Sequence, residues 1–307
     1  MARKTSAGAN GLVDGKVVVI TGAARGLGAS LARQLTSRGA RVALLGLEPG
    51  ELEKVSAECP GSHWWELDVT DSDAQQTVAA AVKTHFGQID VVIVNAGVAT
   101  GGPFLWADAR AFDRTIEVNL LGSVRTLRAY LPALVESKGY GLQIASLAAL
   151  APVPMMAAYC ASKSGVEAFT EAVRTEVASH GVALGTAYLS WTDTDMVRGA
   201  DEWDALRDSR KAMPWPLGKT YPLEPTVTAL CDGVEQRAAH VYGQSWVRTI
   251  RPLRGLLAGL TYVGGRRDAK KAEMTFLAST DREAGLVGAG GRADQQRTTS
   301  ELPGSNR

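Results

Sequence analysis

Cysteine is scarce: Cys59, Cys160 and Cys231 are the only three, odd in number and far apart. That excludes a disulfide framework and any CxxC metal or redox pair. Histidine is nearly as rare, and His63, His85, His180 and His240 lack ligand-pair spacing, so no metal site is expected. An excess of one charge is also missing, with 33 Lys and Arg against 32 Asp and Glu. A net charge of +1 provides no field for nucleic acid or an anionic membrane, and no nucleic-acid partner is expected. No uninterrupted apolar run reaches the roughly 20 residues that cross a bilayer, so no transmembrane segment is expected. Residues 1–15 are polar, with Arg3 and Lys4 followed by no apolar stretch, unlike a signal peptide or anchor. These absences together point to a reducing, cytoplasmic setting.

What is present is a hydrophobic content of 45% in 307 residues, enough for one large or two small cores. Short β-branched runs alternate with longer helical patterns. Strands are expected at 16–20, 41–45, 63–67, 90–94, 142–145 and 182–189. Helices are expected at 26–38, 49–58, 71–86, 109–136 with a kink near Pro132, and 159–180. Continuous apolar strands separated by helices imply parallel strands covered on both faces. The fold class is therefore α/β, a doubly wound parallel sheet in a three-layer αβα, Rossmann-like arrangement. Its ligand site is expected beyond the carboxyl ends of the strands. After residue 189 the alternation loosens, with a further helix at 226–237 and a short strand at 240–246.

Three motifs fall at those carboxyl ends. Thr21, Gly22, Arg25, Gly26, Leu27 and Gly28 form a GxxxGxG loop between the first strand and first helix. Glycines there admit a pyrophosphate to the backbone, and the helix start offers free N–H groups. Asn95, Ala96 and Gly97 close the fourth strand, where an Asx turn is the plain alternative. Ser146 closes the fifth, and Tyr159 and Lys163 follow one helical turn apart on a common face. An ammonium beside a phenol favours phenolate and draws its pKa from about 10 toward neutrality, as a general acid or base requires. A serine hydroxyl within reach can hold a substrate oxygen.

Taken together, these motifs resemble the short-chain dehydrogenase/reductase family over about residues 14–245, in its single-domain oxidoreductase branch. The resemblance extends to Asn119 in a Val-Asn-Leu-Leu-Gly stretch, similar to the helix asparagine that holds a relay water. It also covers Asp68 and Val69, similar to the pair that reads the adenine. It implies catalytic roles for Asn119, Ser146, Tyr159 and Lys163, with Tyr159 exchanging the proton and Ser146 positioning the substrate oxygen. Lys163 would tune Tyr159 and bond the nicotinamide ribose. The hydride belongs to the cofactor. Where the family carries Pro-Gly after the sixth strand, this chain has Leu189-Ser190, then Trp191, Thr192, Asp193 and Thr194. Thr194 still matches the threonine that holds the carboxamide, and Thr192 takes the place of a usual Val or Ile.

The implied cofactor is NAD(P)(H). The acid that bonds a ribose 2′-hydroxyl is replaced by Gly46, and Arg25 is available to a 2′-phosphate while Glu48 opposes it; dual or NADP-leaning use is expected. Apolar residues at substrate-facing positions (Val98, Leu147, Ala148, Pro152, Met155, Met156, Trp191 and Met196) suggest a hydrophobic secondary alcohol or ketone. Met155 and Met156 are equally readable as packing beneath the loop. The expected organisation is a flexible leader at 1–13, a single domain at 14–263 with a substrate lid near 193–224, and a flexible tail at 264–307. The 250–263 stretch reads as a capping helix, with a lipid or partner surface as the other reading. The resemblance further implies a homodimer or homotetramer built on the Asn119 and Tyr159 helices. A second reading, favoured by Leu189-Ser190 alone, is a catalytically weak dinucleotide-binding redox sensor or scaffold.

Overall fold

The computed structural model describes residues 12–279 and 285–300, with the side chains of 256–265, 267, 268, 299 and 300 outside that description. Seven parallel strands form one sheet in the order β3-β2-β1-β4-β5-β6-β7. They are β1 (Val17–Thr21), β2 (Arg41–Gly46), β3 (His63–Glu66), β4 (Val91–Val94), β5 (Tyr140–Ile144), β6 (Ala183–Tyr188) and β7 (His240–Tyr242). Helices α1 (Gly26–Ser37), α2 (Pro49–Glu58), α3 (Ser72–Phe86), α4 (Ala109–Ile116), α5 (Ser123–Ser137) and α6 (Ala157–Val177) alternate with the first six strands. Helices α7 (Asp195–Asp201), α8 (Asp204–Lys211) and α9 (Leu223–Glu235) precede β7, and α10 (Val247–Ala278) and α11 (Gly288–Ser300) follow it. The doubly wound α/β expectation holds.

The period of two along each strand divides a continuous apolar run between two cores. In β1, Val18 and Ile20 face Leu31 and Leu35 of α1, Leu52 of α2 and Leu230 of α9. Val17 and Val19 face the other way, onto Val82 of α3 and Leu127, Tyr130 and Leu134 of α5. Each such side chain contributes about 1.5–3 kcal/mol on burial, so both faces of the sheet are held. Helix starts follow local chemistry: Asp71 caps α3 by accepting from the N–H groups of Asp73 and Ala74 at 2.9 Å. Asp108 caps α4 in the same way through Arg110 and Ala111.

Three expectations are corrected. The single helix expected over 109–136 is divided by a π-helical turn at Glu117–Gly122 that joins α4 to α5, with Pro132 inside α5; such one-residue insertions frequently mark functional sites. Of the expected leader, residues 1–11 lie outside the described residues, while Val13 is buried in the core. The expected tail contains helix instead: α10 runs to Ala278 and α11 occupies Gly288–Ser300. Ala272, Phe276, Leu286, Val287 and Asp294 are buried there. Because α11 is built from Gly, Ala, Arg, Asp, Gln, Thr and Ser, it has little apolar periodicity, and tertiary contacts hold it rather than a hydrophobic stripe. The side chains of Leu256, Leu257 and Leu260, the core of the suggested lipid or partner surface, lie outside the described residues. No described helix is long and apolar enough to cross a membrane.

Candidate active site

The strand order reverses between β1 and β4, and a cavity of about 250 Å³ opens at the carboxyl ends beside that switch point, where doubly wound sheets hold their ligands. Its wall takes in Gly22, Arg25, Gly26 and Leu27 of the glycine loop, Asp68 and Val69, and Asn95, Ala96 and Gly97. It continues to Ser146, Tyr159, Lys163, Thr192, Thr194 and Met196. Motifs from six separate stretches of the chain thus meet in one cleft.

Two residues expected to touch cofactor stand behind the wall instead. Thr21 is fully buried, and its hydroxyl accepts from the N–H groups of Asn95 and Ala96 at 3.0 and 3.1 Å. Gly28 packs the helix onto the loop: a Cβ there would lie 2.2 Å from the Gly22 carbonyl oxygen. Asn95 completes this brace, donating from Nδ2 to the carbonyls of Thr21 and Gly22 at 2.9 and 3.1 Å. At the far end, the Arg25 guanidinium is gripped by both oxygens of Glu48, with Asp195 3.7 Å away. Gly46 leaves the end of β2 open, with no atom within 3.4 Å of where its Cβ would be. The Asp68 carboxylate accepts from Thr70 at 2.8 and 2.7 Å and from Arg114 at 2.9 Å. These bonds hold it below its usual pKa against the effect of burial.

At the other end, Ser146 starts a short 3-10 turn, its Oγ accepting from the Ala148 N–H at 3.1 Å. Lys163 is buried, and its Nζ donates to the Ile144 carbonyl at 2.8 Å and sits 5.7 Å from the centre of the Tyr159 ring. The expected electrostatics are reversed at Tyr159. Burial pushes the Tyr159 phenol up to about 12, opposed by a hydrogen bond with Ser146, and pulls Lys163 down to about 8. Desolvation penalises both charged forms and sets the direction of both shifts. Asn119, on the π turn, is also behind the wall: its side chain accepts from Val98 N–H at 2.8 Å and donates to the Val98 carbonyl and Ser162 at 2.9 and 3.1 Å. Its Oδ1 would lie 3.1 Å from a Cβ on Gly97, with the Lys163 Nζ at 3.6 Å from the same point. The asparagine thus shapes the loop around Lys163, with no direct bond to it.

Of the substrate-facing expectations, Val98 and Met196 line the cavity and Trp191 does not; the Arg210 guanidinium covers the indole at 5.4 Å. Met155 and Met156 pack with Ala99, Trp203, Leu206 and Phe276 beside Tyr159 and Met196. Met155 does so at a φ of 70°, a strained conformation for a long side chain. Pro152 lines a separate groove with Glu167 and Arg254. Sequence reasoning missed Val118, Ser190, Val287, Gly290, Ala293 and Asp294 in the wall, and Arg114 behind it. An Arg in the last turn of α4 carries no motif, and the C-terminal residues carry no apolar pattern.

The wall fits a nicotinamide dinucleotide. It is long, floored by glycines, polar at both ends, and includes a buried Ser190 hydroxyl with no hydrogen-bond partner. The Leu189-Ser190 stretch holds regular geometry: the Leu189 carbonyl accepts from Leu147 N–H and the Ser190 N–H donates to Gln244, both at 2.8 Å.

Comparison with known proteins agrees with this geometry. The family model described as short chain dehydrogenase matches residues 16–205. Over 187 residues the chain is 33% identical to the probable oxidoreductase EphD of Mycobacterium tuberculosis, a match taking in 59% of this chain and only 32% of that much longer protein. It is 32% identical to the D-threitol dehydrogenase of Mycolicibacterium smegmatis, over 71% of this chain and 85% of that one. Among solved structures, a short chain dehydrogenase from Burkholderia cenocepacia in complex with NADP superposes with a TM-score of 0.69 at 28% identity, covering 83% of this chain and 98% of that one. The chain belongs to the short-chain dehydrogenase family of NAD(P)-binding oxidoreductases.

Proposed function

We propose that this protein interconverts a hydrophobic secondary alcohol and its ketone, with Tyr159 as the general acid and base and a weak preference for NADP(H). The observation that carries the reading is the meeting of Tyr159, Ser146 and Lys163 at one end of a cleft whose other end is the glycine loop. Gly22, Arg25, Gly26, Leu27, Asp68, Val69, Asn95, Ala96, Gly97, Thr192 and Thr194 would hold the dinucleotide. When bound, it supplies or accepts the hydride. The chain's own contribution is proton transfer at the Tyr159 hydroxyl, with the Ser146 hydroxyl directing the substrate oxygen toward it. Lys163, cationic below a pKa of about 8, stabilises negative charge that develops there. Asn119 positions the loop against which Lys163 rests. Val98, Met196 and the neighbouring Met155–Met156 cluster support an apolar substrate. Helices α7 and α8 supply the lid.

The NADP lean rests on the open Gly46 position and the Arg25 cation, and Glu48 tempers it by occupying that cation. Replacing Tyr159 by Phe and following nicotinamide absorbance across a panel of hydrophobic alcohols and ketones tests the whole reading. We expect kcat to fall by about a hundred- to ten-thousandfold with cofactor affinity kept. A full-length wild-type protein that binds cofactor but turns over none of the panel would instead favour a redox sensor or scaffold.

A further inference from the structure

The C-terminal segment 285–300 lies across the cofactor cleft. At its start, the Val287 N–H donates to the Ala99 carbonyl at 2.8 Å and the Thr100 hydroxyl donates to the Gly285 carbonyl at 2.8 Å. Gly288 and Gly199 of α7 meet backbone to backbone: a Cβ on Gly199 would lie 2.4 Å from the Gly288 Cα. In mid-helix, Asp294 is 2% exposed and both its oxygens accept from Arg114, at 2.6 Å and 2.9 Å. The same guanidinium donates to Asp68 and Thr70, each at 2.9 Å. Farther along, Arg297 bonds Glu66 at the end of β3 at 2.6 Å. The segment is therefore stitched to β3, to the loop after β4 and to α7, on both sides of the cleft. Val287, Gly290, Gly291, Ala293 and Asp294 form part of the cavity wall, opposite Leu67, Asp68 and the glycine loop.

We infer that α11 is a cofactor-binding element that closes over the adenosine half of the dinucleotide, with Asp294 as the residue that locks it through Arg114 to Asp68. The inference rests on the reading of this cleft as the dinucleotide site. Its direction follows from the position of the ends. Tyr159 and Lys163 mark the nicotinamide end, so the Asp68 and Leu47 side where α11 lies is the adenosine end. A bidentate guanidinium–carboxylate pair is among the strong polar contacts a protein makes, and Asp294, the buried partner, would be left an unpaired charge without Arg114. Helix α11 thus has a defined lock. Gly290, whose Cβ would have only the Arg25 Cδ within 4 Å, at 3.7 Å, leaves the space beneath the helix unfilled by side chain. The lock shares Arg114 with Asp68, so closing the helix and shaping the floor of the adenosine pocket are one event.

Three full-length proteins test this: wild type, Asp294→Ala, and Val287→Asp, which places a charge at a buried anchor on the other side of the cleft. Dissociation constants and off-rates are measured for NADPH, NADH, adenosine diphosphate and nicotinamide mononucleotide. Deuterium uptake across 285–300 is followed with and without NADPH. We expect both variants to weaken the dinucleotides and adenosine diphosphate about tenfold, mainly through a faster off-rate, and Asp294→Ala to leave nicotinamide mononucleotide unchanged. Asp294→Glu should recover part of the loss, and NADPH should slow exchange in 285–300 of the wild type. Equal affinities in all three proteins would overturn the inference while leaving the cofactor site intact. Tighter binding by the variants would overturn it too, making the segment an obstruction. A wild type that binds neither dinucleotide would overturn the site assignment itself.

Discussion

Replacing Lys163 by methionine removes a charge that the fold holds against its solvation. Lys163 is 4% exposed, its one hydrogen bond runs to the Ile144 carbonyl, and burial alone pulls its pKa from 10.5 to about 8. At about 1.4 kcal/mol per pH unit of displacement, carrying the proton into the folded state costs about 3 kcal/mol at neutral pH. The lost hydrogen bond returns about 1 kcal/mol of that, so Lys163→Met should be more stable than wild type by about 2 kcal/mol at pH 7. The sign of the pH dependence is fixed. The folded pKa lies below the unfolded one, so the unfolded chain binds more protons between about pH 8 and 10.5 and wild-type stability rises across that window. The gap between the two proteins should therefore close by about 2 kcal/mol between pH 7 and about pH 9.5. Urea unfolding followed by circular dichroism at both pH values reads it directly. A variant less stable than wild type at pH 7, or a gap that does not change with pH, would refute the reasoning. The accompanying loss of turnover would show a stability cost retained for function.

Glu48→Ala frees the Arg25 guanidinium from its bidentate partner, and the ratio of kcat/KM for NADPH over NADH should rise about tenfold, as one charge-assisted contact permits; an unchanged ratio removes Arg25 from cofactor choice. Asp71→Ala deletes the acceptor for two N–H groups at the start of α3 and should lower stability by about 1 kcal/mol without altering cofactor affinity, as thermal unfolding and a binding titration would report.

The sheet and the cofactor loop were readable because each rests on a short-range rule. The first strand was readable at 16–20, one residue from its observed Val17–Thr21, from its run of apolar residues, and the loop from Gly22 to Gly28 from a glycine spacing set between a strand and a helix. Tyr159 and Lys163 were readable as a pair because helical geometry places i and i+4 together. What failed depended on distance along the chain. Trp191 sits at the motif position of a substrate contact, yet Arg210, nineteen residues on, draws its ring away from the cleft. The pairing of Arg114 with Asp294 links residues 180 apart, and neither belongs to any recognisable pattern. The Tyr159 pKa failed for a different reason. The sequence supplies the neighbouring cation but not the dielectric, and burial reversed the expected direction.

That reversal bears on how the site works. A phenol near 12 and an amine near 8 are both shifted toward their neutral forms by the same desolvation. The two groups lie in one wall with Ser146, and Lys163 has no carboxylate partner to anchor its proton among the described residues. The C-terminal helix extends that logic to the other end of the cleft, since Arg114 divides its charge between Asp68 in the floor and Asp294 in the cover. In the proposed reading one end of the cavity handles the proton and the other holds the dinucleotide, and both would depend on charges that the fold buries rather than on the apolar core that supports them.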